Sequence, residues 1–89
     1  MDIKEFKKLP ILGILRGITL EDVEPLIETI VSSGLKTIEI TMNTKDAPLL
    51  IRRAVKIANK RLTIGAGTVL GMESLENALK AGATFIVMP

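Results

Sequence analysis

Apolar positions along the chain follow two alternating rhythms. Four short runs, Ile11–Leu15, Thr37–Thr41, Leu62–Ala66 and Phe85–Met88, are rich in Ile, Leu and Val. Short apolar runs of this kind predict parallel strands buried on both faces. Three amphipathic segments lie between them. In the first, from about Thr19 to Ser33, Val23, Leu26, Ile27, Ile30 and Val31 keep the spacing of a single helix stripe. Thr19 and Asp22 resemble a capping box with a shorter acid, and Gly34 supplies the stop. Pro25 removes an N–H within this segment, which predicts a later start or a bend. The second helix is expected to begin between Thr44 and Pro48, with Leu50, Ile51, Ala54, Val55, Ile57 and Ala58 on its apolar side. The third covers about Met72 to Lys80, with Leu75, Ala78 and Leu79 facing inward and Gly82 ending it.

The order β-α-β-α-β-α-β with short connections predicts an α/β fold in which successive parallel strands add side by side. A faint internal repeat, Ser33–Thr41 against Ala81–Pro89, reads both times as helix stop, short loop, buried strand. No linker divides the chain. Residues 1–89 are therefore expected to be one domain, the N-terminal half of a TIM (β/α)8 barrel with four parallel strands and three helices.

Strand residues alternate between the barrel interior and the helix layer. Ile38 and Ile40 are expected to face the helices, which turns Thr37, Glu39 and Thr41 inward. The same parity sends Leu12, Ile14 and Arg16 inward on the first strand and Phe85, Val87 and Pro89 inward on the fourth. For the third strand, where Gly65 and Gly67 permit a bulge or kink, the assignment is Ile64, Ala66 and Thr68 inward. The polar members Arg16, Glu39, Thr41 and Thr68 then gather at the strand C-terminal ends, the end that carries chemistry in such barrels.

Composition narrows the chemistry. The 89 residues contain no Cys and no His, so thiolate metal sites, disulfides and an imidazole base are all excluded within them. No run of about 18 apolar residues exists to span a membrane. Met1–Lys8 is charged and lacks the apolar core of a secretory signal, so a cytoplasmic protein is expected. The net charge of +2 comes from the scattered pairs Lys7-Lys8, Arg52-Arg53 and Lys60-Arg61, and only two aromatic residues are present. That pattern reads as solvated surface, without the basic block or stacking platforms of a nucleic-acid binder.

Glu39 is the most informative residue. A carboxylate among Thr37, Ile38, Ile40 and Thr41 needs a partner or a raised pKa. It reads as a general acid/base, against the plainer alternative of a structural ion pair with Arg16. Arg16 itself can grip a carboxylate or phosphate. Gly65-Ala66-Gly67-Thr68 offers backbone N–H groups and a hydroxyl to an anion, or is simply a tight loop. Asn43 can bond a substrate hydroxyl or serve a turn, and Thr44 is expected to cap the second helix. None of the lysines sits where a desolvated Schiff-base amine is needed. Lys36 enters the second strand at its N-terminal end, and Lys45 follows that strand in a loop or first helical turn.

Four motifs in order, Ile14–Thr19, Glu39–Thr44, Ile64–Leu70 and Ala81–Pro89, resemble the 2-dehydro-3-deoxyphosphogluconate / 4-hydroxy-2-oxoglutarate aldolases. The resemblance covers nearly the whole chain and only the N-terminal half of the family's usual length. It implies a homotrimeric TIM-barrel lyase without metal or other cofactor. In such an enzyme a lysine forms a Schiff base with a 2-keto-3-deoxy-6-phospho sugar acid, releasing pyruvate and glyceraldehyde 3-phosphate. By similarity Glu39 relays protons, Arg16 and Thr68 hold the pyruvate end, and Pro89 shapes the pocket floor. Many members carry Arg where Asn43 stands, and Asn there is more like the 2-dehydro-3-deoxy-6-phosphogalactonate aldolase branch. The family's Schiff-base lysine lies on a later strand, beyond Pro89. The chain is accordingly expected to be a truncated form, inactive alone. The alternative is a non-enzymatic half-barrel that associates with itself, two copies closing eight strands. A sugar-phosphate epimerase fits the Glu39 strand and the Gly-Ala-Gly-Thr motif less well.

Overall fold

The computed structural model describes residues 1–88. Three parallel strands, β1 (Leu12–Leu15), β2 (Thr37–Thr41) and β3 (Thr63–Gly67), form a sheet in chain order. Between and around them run α1 (Ile3–Lys8), α2 (Leu20–Ser33), α3 (Ala47–Ala58) and α4 (Met72–Ala81). The chain thus builds one arc of a barrel wall with helices on its convex side. The expected fourth strand is reduced to a single bridge pair, Ala66 with Ile86. Residues 84–87 still run parallel to β3: Thr84 N–H donates to Ile64 O at 2.9 Å, Ala66 N–H to Phe85 O at 3.0 Å and Val87 N–H to Ala66 O at 2.8 Å.

The helices form where the sequence puts their signals. The Asp22 carboxylate accepts from the Thr19 N–H and hydroxyl, each at 2.9 Å, and closes the front of α2. These bonds hold its pKa below the usual value. Gly34, at φ 90°, ends α2 in the left-handed conformation that favours glycine. Pro25 neither delays nor breaks α2, which runs unbroken past it. Pro25 is exposed, so the carbonyl it leaves without a donor faces water. Pro48 lies in the first turn of α3, where the missing N–H costs nothing. Helix α1 was not signalled by any apolar stripe and buries no residue. Its front is held by the Asp2 carboxylate, which accepts from Lys4 N–H at 2.9 Å.

The core lies between sheet and helices. Ile38, Ile40, Ile64 and Ala66 meet Val23 and Ile27 of α2, Leu50, Ile51 and Ala54 of α3, and Ala78 of α4. Helix α3 sits centrally and buries the most. Leu79, expected to face inward, is half exposed on the outer flank of α4, where no further helix packs among the described residues. On the convex surface Arg61 forks onto Glu28 of α2 at 2.6 and 3.1 Å, and Arg53 approaches Glu24 at 3.9 Å. Part of the basic surface is thereby committed to helix–helix ties.

Candidate active site

The register decides which side chains share the concave face. Ile14 lies beside Glu39, and Glu39 beside Gly65; Thr41 lies beside Gly67. The expected parity therefore holds for β1 and β2 and is inverted for β3. Ile64 and Ala66 point into the helix layer, 3% and 0% exposed, and the two glycines face inward. No bulge was needed, because the glycines occupy regular strand positions and leave a bare strip on the concave face. A Cβ built on Gly65 would fall within 2.5–2.6 Å of the Phe85 ring, and one on Gly67 within 2.5–2.7 Å of the Glu39 carboxyl. Two side chains from neighbouring segments thus lie flat against β3. The remainder of the face is open, with Ile14 60% exposed and Val87 38%.

Glu39 is only 5% exposed, and its Oε2 has no hydrogen-bond partner among the described residues. Burial raises its pKa, opposed by the positive charge of Arg16. The structural ion pair expected as the plain alternative is not formed: the pairs within 4.0 Å among the described residues are Lys8–Glu5, Arg53–Glu24 and Arg61–Glu28. Arg16 is exposed just beyond β1 and acts on Glu39 through space. A buried carboxyl whose Oε2 has no partner holds its proton more readily than one in water, with Arg16 opposing, which suits it to take and return a proton.

The other expected site residues are distributed unevenly. Thr68 follows β3 at φ 54°, half-buried. A β-branched residue in the left-handed region is a strained feature of the kind that collects at functional sites. Asn43 is exposed in the turn after β2. Thr41 is fully buried and does not offer itself to a ligand. Its hydroxyl pairs with that of Thr44 at 2.9 Å, and Thr44 Oγ1 in turn accepts from Gly17 N–H at 3.0 Å. Thr44 is thus a clasp between the β1–α2 and β2–α3 loops, and Asp46 occupies the N-cap of α3 in its place. Pro89 lies outside the described residues. Phe85 was expected on the inward face and the two glycines in an anion-binding turn or tight loop; the contribution not foreseen is that the glycines make room for Phe85 and Glu39. Their signal was the i, i+2 glycine spacing on the strand next to the buried acid.

A cavity of about 710 Å³ opens at the opposite, N-terminal end of the strands, between α1 and Lys36, Thr37, Leu62 and Thr63. It contains none of the residues just described. Lys36 borders it, away from Glu39, and Lys45 is exposed in the turn before α3. Among the described residues, no cluster of acids could hold a metal ion, and no helix is long and apolar enough to cross a membrane.

Residues 3–89 match the profile of the KDPG and KHG aldolases. The chain belongs to this aldolase family. It is 36% identical over 80 residues to the probable 2-dehydro-3-deoxy-6-phosphogalactonate aldolase of Rhizobium meliloti, covering 90% of this chain and 38% of that protein. The crystal structure of 2-keto-3-deoxy-6-phosphogluconate aldolase from Zymomonas mobilis superposes on all of the chain with a TM-score of 0.86 at 32% identity, 43% of that chain being covered. The KDPG aldolase of Legionella pneumophila, crystallised with pyruvate captured as a covalent carbinolamine, gives a TM-score of 0.82 at 29% identity over 90% of this chain and 38% of its own. The chain therefore spans about two fifths of the length of these relatives, and it forms a half-barrel of the aldolase fold.

Proposed function

We propose that this chain supplies the proton-handling half of a Schiff-base aldolase that cleaves 2-keto-3-deoxy-6-phospho sugar acids to pyruvate and glyceraldehyde 3-phosphate. The observation that carries the reading is the water-poor, unpartnered carboxyl of Glu39 at the concave face. In the cleavage direction the acid, poised by burial, removes the proton of the hydroxyl next to the breaking carbon–carbon bond. It then returns a proton to the carbon that becomes the methyl group of pyruvate. Arg16 and the Thr68 hydroxyl hold the keto-acid carboxylate, and Asn43 meets the sugar hydroxyls. The covalent pyruvate adduct in the Legionella relative supports the Schiff-base route.

Among the described residues no lysine forms an ion pair with Glu39, which supports an adduct-forming amine contributed by residues other than these. The working assembly is a cytoplasmic homotrimer of closed eight-stranded barrels. Asn43, a neutral group, favours the galactonate over the gluconate epimer, in line with the Rhizobium relative.

The test joins this chain in register to the remaining strands of the Zymomonas enzyme and follows pyruvate release from both epimers. Glu39→Gln is expected to abolish turnover while borohydride still traps pyruvate on the protein, because the lysine is untouched. Full turnover by the Glu39→Gln chimaera would end the proposal. The chain by itself, treated with pyruvate and borohydride, is expected to keep its unmodified mass.

A further inference from the structure

We propose that Gly67 is a positioning residue for Glu39: its missing side chain leaves a niche on β3 into which the acid folds, so glycine at this place fixes where the proton is handled. The inference rests on the acid/base reading of Glu39 and adds the residue through which its place is set.

The Gly67 backbone is held from both sides. Its carbonyl accepts from Met42 N–H at 2.7 Å, which extends the β2–β3 ladder beyond the last paired residues. On the other side Val87 N–H donates to Ala66 O at 2.8 Å, and Val69 N–H to Val87 O at 3.4 Å. The strand cannot slide away to make room. The niche is not required by backbone conformation either, because Gly67 is not among the glycines with positive φ.

What a methyl group at this position would meet is the carboxyl carbon and both oxygens of Glu39, at 2.5–2.7 Å. Those atoms are the free end of a side chain with three rotatable bonds, and no hydrogen bond holds Oε2 where it lies. The acid is therefore what moves. It swings off β3 toward the open concave face and back into water.

Gly65 is the natural control. It sits two residues earlier on the same strip, and a methyl there meets a rigid aromatic ring, Phe85. Relief at that position requires a large side chain or a strand to shift. The same substitution at two neighbouring glycines is thus expected to have opposite signatures. One displaces a charge at little structural cost; the other disturbs packing and leaves the charge in place.

The experiment follows the Glu39 side-chain carboxyl by carbon-detected NMR titration, with thermal unfolding alongside, in the 89-residue chain and its Gly67→Ala, Gly65→Ala and Gly67→Ala/Glu39→Asp variants. Gly67→Ala is expected to bring the Glu39 midpoint back toward the ordinary value of 4.5 with little change in melting temperature. Gly65→Ala is expected to lower the melting temperature and keep the midpoint raised. Asp, one methylene shorter, is expected to clear the new methyl and regain a midpoint above its own ordinary value. An unchanged midpoint in Gly67→Ala, or a Gly67→Ala protein that does not fold, would overturn the proposal. The readout is independent of turnover, so it can fail while the Glu39→Gln chimaera is still inactive, and the reverse.

Discussion

Replacing Glu39 by an uncharged side chain of similar size should strengthen the fold. The acid is 5% exposed and one oxygen has no partner. Leaving a buried polar group unsatisfied costs about 1–3 kcal/mol, more when it is charged. Arg16 returns part of this, but it is solvated and not in contact, so the lower end of the range is expected for Glu39→Met at pH 7. For a domain of this length about 1 kcal/mol moves the melting temperature by roughly 4–8 °C. The direction with pH follows from the raised pKa. Below 4.5 the acid is neutral in both the folded and the unfolded chain, and the penalty for charge vanishes. As pH rises from there, the unfolded chain ionises first, so the folded wild type loses stability until Glu39 itself ionises. Glu39→Met and Glu39→Gln lack this loss. Their advantage over wild type should grow between pH 4 and pH 8 in thermal unfolding followed by circular dichroism. The other shifted carboxylates, Asp22 and Glu28, are common to all three proteins and cancel in the difference. Variants less stable than wild type at pH 8, or a gap equal at pH 4 and pH 8, would refute the reasoning.

Further outcomes follow from other contacts. Thr68→Gly should relieve about 1–2 kcal/mol of left-handed strain and forfeit about 0.5–1 kcal/mol to chain entropy, a small net gain in melting temperature. The same change in the chimaera should weaken pyruvate binding, a stability gain at the expense of function. Thr44→Val leaves the Gly17 N–H without its acceptor, at a cost of about 1 kcal/mol, and should speed amide exchange at Gly17 while the β2 amides stay protected. Asp22→Asn should remove one acid-labile contribution. The lowered pKa of Asp22 supplies stability above its ordinary value of 3.8, lost as pH falls through the lowered one, so the wild-type advantage should fade in acid melts.

Much of the architecture could be read from the chain because the relevant forces are local or periodic. The α2 stripe, the Thr19–Asp22 contact and the glycine stop are decided within a few residues, and all three are found. The parity of β2 was legible because Ile38 and Ile40 flank the one residue that cannot join an apolar layer. β3 misled for the opposite reason. Ile64 and Ala66 are apolar and the residues between them are glycines, so hydropathy alone gives no preference for which face is inward. The answer is set by two side chains from other segments, Glu39 and Phe85, which need the space. Thr41 and Thr44 were misassigned because a hydroxyl advertises hydrogen bonding without saying to what. They pair with each other, and their further partners, the Leu15 carbonyl for Thr41 and the Gly17 N–H for Thr44, lie 26 and 27 residues away, which no local pattern encodes. Helix α1 has no buried face and so left no hydrophobic periodicity to detect.

The proposed chemistry depends on the state of one carboxyl group in the folded chain. Carbon-detected titration of the Glu39 side chain in the wild-type protein measures it directly. A midpoint clearly above 4.5 is predicted, falling further above it when Arg16 is replaced by Met and its opposing charge is removed. A midpoint at or below 4.5 would contradict the claim that this acid is held away from water and ready to exchange a proton.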